Sequence, residues 1–131
     1  MDKEYFLKKV RYDSKNTIAI DFDGVIHKNS NGFSDGTIYD IPIEGTKEAL
    51  ECLSKIFSRI IIFTCKAMPE RPLINDKTGI ELIWEWLRKH GLDKYIYDIT
   101  IEKPIAALYI DDKGFRFNNW NDTINFIMKL L

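Results

Sequence analysis

Two carboxylic acids, Asp21 and Asp23, follow the apolar run Thr17 to Ile20. Gly24 comes next and indicates that the chain turns here, which would bring both carboxyl groups towards one site. In different environments, one carboxylate can attack phosphorus while the other delivers and removes protons. The pattern therefore predicts either such a site or an acidic strand end that leads into a turn.

A second pair of acids, Asp111 and Asp112, follows the apolar run Ala107 to Ile110, which we interpret as a buried strand. Adjacent carboxylates in that position repel each other unless a cation or solvent separates them. Hard oxygen ligands suit Mg²⁺, which keeps several waters and bridges to phosphate groups. This pair therefore favours a metal site over a simple acidic surface.

A hydroxyl and a cation also follow apolar segments. Thr64 comes after Ile60 to Phe63, and its hydroxyl can donate to a phosphoryl oxygen without adding charge. Lys103 can neutralise clustered carboxylates and a phosphoryl group. Taken alone, Thr64 could be an ordinary strand residue and Lys103 a solvated loop lysine.

The elements that must position these residues alternate between strands and helices. Apolar runs predict four strands, at 17–21, 59–64, 95–101 and 107–111. Helical apolar spacing predicts three helices, at 46–57, 79–90 and 121–131. We also expect a short helix in Asp2 to Tyr12 and loops at 29–36 and 66–77. The alternation favours a three-layer α/β sandwich with a mainly parallel, Rossmann-like central sheet. Ligands of such sheets bind beyond the carboxyl ends of the strands.

The bulk composition fits one globular domain. The chain has 131 residues, 45% of them hydrophobic and 30% charged, and a formal net charge of −1. The chain therefore has no overall excess of positive charge that would indicate binding to nucleic acid or to an anionic membrane. Two cysteines, the lack of a signal-peptide pattern and the lack of a long apolar run favour a reduced, cytoplasmic protein. We therefore expect a single domain over residues 1–131, with residues 1–14 as an N-terminal extension.

The polar residues, taken in order, resemble the four motifs of the haloacid dehalogenase (HAD) superfamily: Asp21 and Asp23, Thr64, Lys103, then Asp111 and Asp112. The resemblance covers residues 17 to about 120. Residues around the motifs, including His27 and the pair Lys103-Pro104, are similar to those of small uncharacterised or capsule-biosynthesis-type phosphatases of that superfamily.

The resemblance implies a role for each of these residues. Asp21 is expected to be the nucleophile that becomes phosphorylated, and Asp23 the general acid and base. Thr64 and Lys103 are expected to hold the phosphoryl group and the nucleophile. The implied function is that of a Mg²⁺-dependent phosphatase, which hydrolyses a phosphomonoester through an aspartyl-phosphate intermediate.

The resemblance also implies Mg²⁺ as the cofactor. Asp21, Asp111 and the main-chain carbonyl of Asp23 are expected to line the ion. Asp112 is expected to be a nearby metal ligand or an acid that supports the ligands.

The cation of the site has more than one candidate. Only seven residues separate Lys103 from Asp111, whereas parallel strands usually need a crossover of about a dozen or more. Lys103 must therefore reach the site along an irregular path, or another cation takes its place. Lys66 is the best alternative, ahead of Arg71 and Lys113.

The sequence leaves no room for a cap domain, because short turn-rich or single-helix intervals separate the motifs. We therefore expect an open site in which Gly24, Thr64 and Lys66 contact the substrate. The expected substrate is a phosphorylated small molecule or a nucleic-acid end, and no membrane partner is expected. An open site also leaves room for a homo-oligomer that supplies a lid.

Two rival interpretations come from other classes of protein. A response-regulator receiver domain also combines acids, a phosphorylated Asp, a hydroxyl and a Lys. Its acidic pair comes first and its phosphorylated Asp stands alone in mid-chain, so the order of the residues here argues against it. A catalytically silent or phosphoryl-binding regulatory module on the same fold is the stronger alternative. Such a module would often lack Asp21 or Asp23, and both are present.

Three ring side chains are interpreted as structural. His27 is close enough to Asp23 in the sequence to touch substrate or act in proton transfer, but we favour a His that packs beneath a flap or faces solvent. Trp84 is expected in the core because it shares a helix face with Ile80, Ile83 and Leu87. Trp86 is expected to be more exposed.

Overall fold

The computed structural model describes residues 16–131. Its strands are β1 (Thr17–Asp21), β2 (Arg59–Phe63), β3 (Asp98–Thr100) and β4 (Leu108–Ile110). Its α-helices are α1 (Thr46–Ile56), α2 (Gly79–Lys89) and α3 (Trp120–Leu130). Two short 3₁₀ turns lie at Cys65–Ala67 and Asp93–Tyr95. The helix expected in Asp2 to Tyr12 lies outside the described residues.

The four strands form one parallel sheet in the order β3-β2-β1-β4. In this register Asp21 lies beside Phe63, and Ile20 lies beside Ile110. The carboxyl ends of all four strands therefore meet at one edge of the sheet. The prediction of an α/β fold with a parallel sheet is confirmed for the described residues.

The core surrounds the two central strands. Ile18 and Ile20 of β1 and Ile60 and Ile62 of β2 are all buried. These four residues lie on one face of the sheet. Ala19, on the other face of β1, is also buried, whereas Ile61 and Phe63, on the other face of β2, are only partly buried, so β1 is the strand that is covered on both faces.

The burial of α2 differs from the prediction. Trp86 is only 5% exposed, so the expectation that it would be the more exposed tryptophan was wrong. Trp84 is partly buried and packs against the core, in agreement with its expected position. The buried stripe runs through Ile83, Trp86 and Leu87, at i, i+3 and i+4. The Trp86 indole N–H donates to the Asp40 carbonyl at 2.8 Å, which satisfies its polar group inside the protein.

The start of α2 packs closely against the loop that follows β2. Thr78 and Glu81 form a capping box that fixes the first turn of the helix. A Cβ at Gly79 would lie 1.7 Å from the Lys66 carbonyl oxygen, so only glycine allows this approach. The helix start therefore fixes the backbone that carries Lys66.

The last strand and the last helix are much less covered. Leu108, Tyr109 and Ile110 are 48%, 37% and 36% exposed, so the expectation of a buried fourth strand was wrong. β4 is an edge strand that pairs only with β1 among the described strands. No residue of α3 is buried.

The length and composition of the helices also bear on membrane insertion. Within residues 16–131, none is both long enough and apolar enough to span a bilayer.

Candidate functional site

Three carboxylates converge at the carboxyl edge of the sheet. Asp21 ends β1, while Asp111 and Asp112 directly follow the neighbouring β4. Each side chain offers an oxygen within 4.8 Å of the other two. Three carboxylate oxygens at this separation could hold one hard divalent cation such as Mg²⁺. Parallel pairing of the two strands is what brings residues 90 positions apart into this cluster.

The turn after β1 brings Gly24 against this acid cluster. Gly24 has φ +85°, in the left-handed region, and a Cβ there would lie 2.2 Å from Asp112 Oδ2. The backbone conformation therefore favours glycine, whereas the exposed Asp112 side chain could move away from a Cβ. Gly24 was predicted as a substrate contact, and the structure places it beside a carboxylate of the cluster.

The Asp21 carboxyl group has an unusual electrostatic environment. Burial, together with the smaller effect of the negative charges on Asp111, Asp112 and Asp23, raises the pKa of Asp21 to about 6. A hydrogen bond from the Phe22 N–H to Asp21 Oδ1, at 2.8 Å, acts in the opposite direction. A cation bound between these acids would relieve their mutual repulsion.

Asp23 faces a different set of partners from those of Asp21. Lys66 Nζ and His27 Nδ1 each lie 2.8 Å from Asp23 Oδ1, and both of these side chains are fully buried. Burial acts to raise the pKa of Asp23, but hydrogen bonds from His27 and Lys66 and the Lys66 charge outweigh it. The pKa of Asp23 is therefore lowered. The pKa values of Asp21 and Asp23 are therefore shifted in opposite directions, upwards for Asp21 and downwards for Asp23.

His27 connects Asp23 to the flap, which we define as residues 28–41. The Asp40 N–H donates to His27 Nε2 at 3.0 Å, so Nε2 carries the lone pair and Nδ1 carries the proton that faces Asp23. The flap-packing role expected for His27 agrees with this geometry. The closeness of His27 to Asp23 in the sequence was the basis of the alternative role in proton transfer, but the hydrogen bond between their side chains was not predicted.

One cavity of about 480 Å³ contains this acidic edge. Asp21, Asp23, Thr64 and Cys65 contribute to its wall. The Thr64 hydroxyl oxygen accepts a hydrogen bond from the Lys66 N–H at 3.2 Å, which leaves the hydroxyl hydrogen available to a ligand. A ligand in the cavity would therefore meet carboxylates and a hydroxyl donor together.

The candidate cations occupy separate places. Lys103 Nζ lies over the ring of Tyr109, 4.3 Å from its centroid, and 5.9 Å from that of Phe63. Among residues 16–131 the ion pair of Lys66 is with Asp23, and no ion pair involves Lys103. The identity of the catalytic cation therefore stays a prediction.

The two weaker candidates also have defined positions. Arg71 donates to the carbonyl oxygens of Lys66 and Gly36, at 2.8 and 3.0 Å. Lys113 lines the same cavity as the acids, and its N–H donates to Asp111 Oδ1 at 3.1 Å. Arg71 therefore supports the backbone, whereas Lys113 is a cation inside the candidate site.

Comparisons with known proteins add little about function. No protein-family model matches the sequence, and no curated protein matches it. A solved structure of a conserved protein from Bacteroides thetaiotaomicron is similar, with 25% identity and a TM-score of 0.48. The match covers 89% of this chain and 93% of that chain. This likeness assigns neither a family nor an activity.

Proposed function

We propose that this chain is a Mg²⁺-dependent phosphohydrolase of the HAD type, with Asp21 as its nucleophile and no cap domain. The observation that carries the proposal is the convergence of Asp21, Asp111 and Asp112 within 4.8 Å at the edge of one cavity. These acids follow neighbouring parallel strands, at the edge where α/β sheets bind their ligands. Their order along the chain agrees with the HAD resemblance.

The three acids fit a hard divalent cation, because carboxylate oxygens are the ligands that Mg²⁺ prefers. Asp21, Asp111 and Asp112 would hold the ion, which when bound would neutralise charge on the acids and on a substrate phosphate. Burial is the main cause of the raised pKa of Asp21, and the negative charges of Asp111, Asp112 and Asp23 add to it. A cation would offset those charges, which supports a cationic occupant.

The chain's own residues then divide the chemistry. Asp21 attacks phosphorus in line, and Asp23 protonates the leaving oxygen. Asp23 then removes a proton from water, which hydrolyses the aspartyl-phosphate. The lowered pKa of Asp23 keeps its carboxyl group ionised, so it can accept a proton in the second step, but the same shift disfavours the protonated form that the first step requires. Thr64 donates its free hydroxyl hydrogen to a phosphoryl oxygen.

The intervals between the elements support the proposal of a capless fold. Between β1 and α1, residues 22–45 form turns and isolated bridges. Between β2 and α2, the described chain forms a 3₁₀ turn and a loop. Neither interval has the length of an independent domain. Free Cys52 and Cys65 support the proposal that the protein works in the cytoplasm.

Mg²⁺-dependent release of phosphate from a panel of phosphomonoesters tests the proposal. We expect Asp21→Asn to lower turnover at least about 10³-fold, because an amide cannot act as the nucleophile. Asp76→Asn, an exposed loop position, is the matched control and should keep wild-type turnover. Near-wild-type activity in folded Asp21→Asn protein would disprove the covalent mechanism. Tight phosphate binding without any turnover would favour the silent, phosphoryl-binding module.

A further inference from the structure

Phe33 is a large apolar side chain in an acidic cavity. It lies in the flap, is 47% exposed, and lines the same cavity of about 480 Å³ as Asp21 and Asp111. Isolated exposed apolar residues are common on protein surfaces. Phe33 differs from these because it faces the candidate site and because its position is fixed from two sides.

The first support is Arg71. Its guanidinium carbon lies 5.0 Å from the centroid of the Phe33 ring, which is a cation–π contact. The same guanidinium donates to the carbonyl oxygens of Lys66 and Gly36, so it is itself held in place. Lys66 Nζ also lies 5.8 Å from the Phe33 centroid. The ring is therefore held by two cations whose own positions are fixed.

The second support is the backbone on either side of Phe33. Gly32 has φ +69°, and Ser34 has φ +51°, a left-handed conformation that is uncommon for a residue with a side chain. Such conformations persist where the surrounding contacts determine them, and they concentrate at ligand sites. A Cβ at Gly36 would lie 2.1 Å from an Arg71 nitrogen and 3.3 Å from Phe33 Cζ, so the flap closes tightly around this pair.

The base of the flap is attached to the domain. The Asp40 N–H donates to buried His27, and the Asp40 carbonyl accepts from Trp86. Both contacts join the flap to the core that also holds Asp23. The Phe33 ring is therefore placed relative to the acids by buried structure.

The size and lining of the cavity indicate what the ring could contact. About 480 Å³ lies within the range of small-molecule sites and exceeds the space that one phosphoryl group needs. Phe63 and Ile101 add apolar surface to the same cavity. Aromatic rings prefer stacked or edge-to-face partners, and a base stacked on an aromatic side chain contributes about 1–3 kcal/mol.

We infer that Phe33 is a stacking platform that selects phosphomonoesters carrying a planar ring close to the phosphate. This inference rests on the proposed function, since the acids bind the phosphate end of the substrate. Phe33 is then a specificity-determining residue, and the substrate class is ring-bearing phosphomonoesters.

Kinetics of the full chain with Mg²⁺ test this inference on a matched pair of substrates. Adenosine 5′-monophosphate and ribose 5-phosphate share the same primary leaving group and differ in the planar base. We expect kcat/KM for the nucleotide to exceed that for the sugar phosphate by roughly 5- to 150-fold, which is the stacking energy converted to a rate ratio. A second comparison, of kcat/KM for benzyl phosphate with kcat/KM for cyclohexylmethyl phosphate, shows whether any planar ring is enough. Equal values for these two compounds would mean that a nucleobase is needed.

Variants of Phe33 identify the residue responsible. Phe33→Ala should reduce the substrate ratio to near one, mainly by raising KM for the ring-bearing substrate. Phe33→Tyr should keep the ratio, since it retains a ring and controls for folding. Phe117→Ala removes an exposed ring outside the cavity and should leave the ratio unchanged. Equal losses for both substrates in Phe33→Ala would overturn the inference.

Two outcomes separate this inference from the proposed function. If wild-type protein hydrolyses both substrates with equal kcat/KM, the function stands and the inference fails. If it hydrolyses neither of them nor any other phosphomonoester of the panel, the function fails, and equilibrium binding of the two compounds then decides about Phe33. Tighter nucleotide binding that Phe33→Ala abolishes would support the platform, and equal affinities would overturn it.

Discussion

The two acid pairs at the edge of the sheet are held in different ways. Asp21 and Asp23 follow a strand that is buried from Thr17 to Ile20, and Asp23 is bonded to two fully buried side chains. Asp111 and Asp112 follow a strand that is 36–48% exposed, and both acids are themselves exposed.

The positions of the acids after β1 are therefore fixed when the protein folds, whereas the positions of the acids after β4 must be fixed by a bound ligand. The geometry around Asp23 is fixed by the core, because moving it would leave a buried charge unpaired. The side chains of Asp111 and Asp112 are free to rearrange in solvent at small cost. A cation bound to both pairs would therefore order mainly the β4 side.

The largest expected effect comes from removing the buried charge beside Asp23. Lys66→Met leaves that carboxylate without its cation, and we expect the free energy of unfolding to fall by about 2–4 kcal/mol. Urea denaturation measures the change, with Lys103→Met as the exposed control, expected to cost less than about 1 kcal/mol. Adding Asp23→Asn to Lys66→Met should recover part of the loss. Equal losses for both lysines would show that burial does not distinguish them.

For the acids that follow β4, we expect a substitution to affect the Mg²⁺ dependence of activity much more than the stability of the fold. Asp111→Asn should change the free energy of unfolding by less than about 0.5 kcal/mol, as is usual for an exposed residue. It should raise the Mg²⁺ concentration for half-maximal activity by roughly tenfold or more, because it removes a charged ligand. Asp76→Asn, in the exposed loop before α2, is the control and should change neither quantity. An unchanged Mg²⁺ requirement would remove Asp111 from the metal site.

The smallest effect concerns pH and Asp21. Its pKa is raised from 3.8 to about 6, so between these values the folded protein keeps a proton that the unfolded chain releases. The contribution of Asp21 to the free energy of unfolding of metal-free protein should therefore fall as pH rises from about 4 to 6, by less than about 1 kcal/mol after solvent screening.

Asp21→Asn should remove this contribution, which urea titrations in chelator at several pH values would measure. Saturating Mg²⁺ should oppose the fall by neutralising the ionised acids. An identical pH dependence in wild type and Asp21→Asn would contradict the raised pKa.

The sequence predicted those features that depend on local pattern. Helical and strand periodicity placed β1 and the three helices to within one residue at either end. The HAD resemblance implied that Asp21 and Asp111 would line one site, and the parallel sheet expected from the alternation of elements agrees with this. Asp21 and Asp111 accordingly lie together.

Features that depend on contacts between segments distant in the sequence could not be predicted from local patterns. The periodicity of α2 allowed either Trp84 or Trp86 to face the core, and the acceptor that buries Trp86 comes from Asp40, 46 residues away. Lys66 and Asp23 are 43 residues apart, and no local pattern pairs them. The apolar run before Asp111 predicted a strand correctly, but not that this strand lies at the edge of the sheet.

The two free cysteines provide a built-in reporter for the cavity. Both thiols are exposed, but Cys65 lines the cavity beside Thr64, whereas Cys52 lies on α1 outside it. A slow alkylating reagent would label both, and any compound that enters the cavity should protect Cys65 alone. The mass spectrum of the unmodified sequence would then measure occupancy at Cys65 against an internal reference at Cys52, with no substrate turnover and no engineered label.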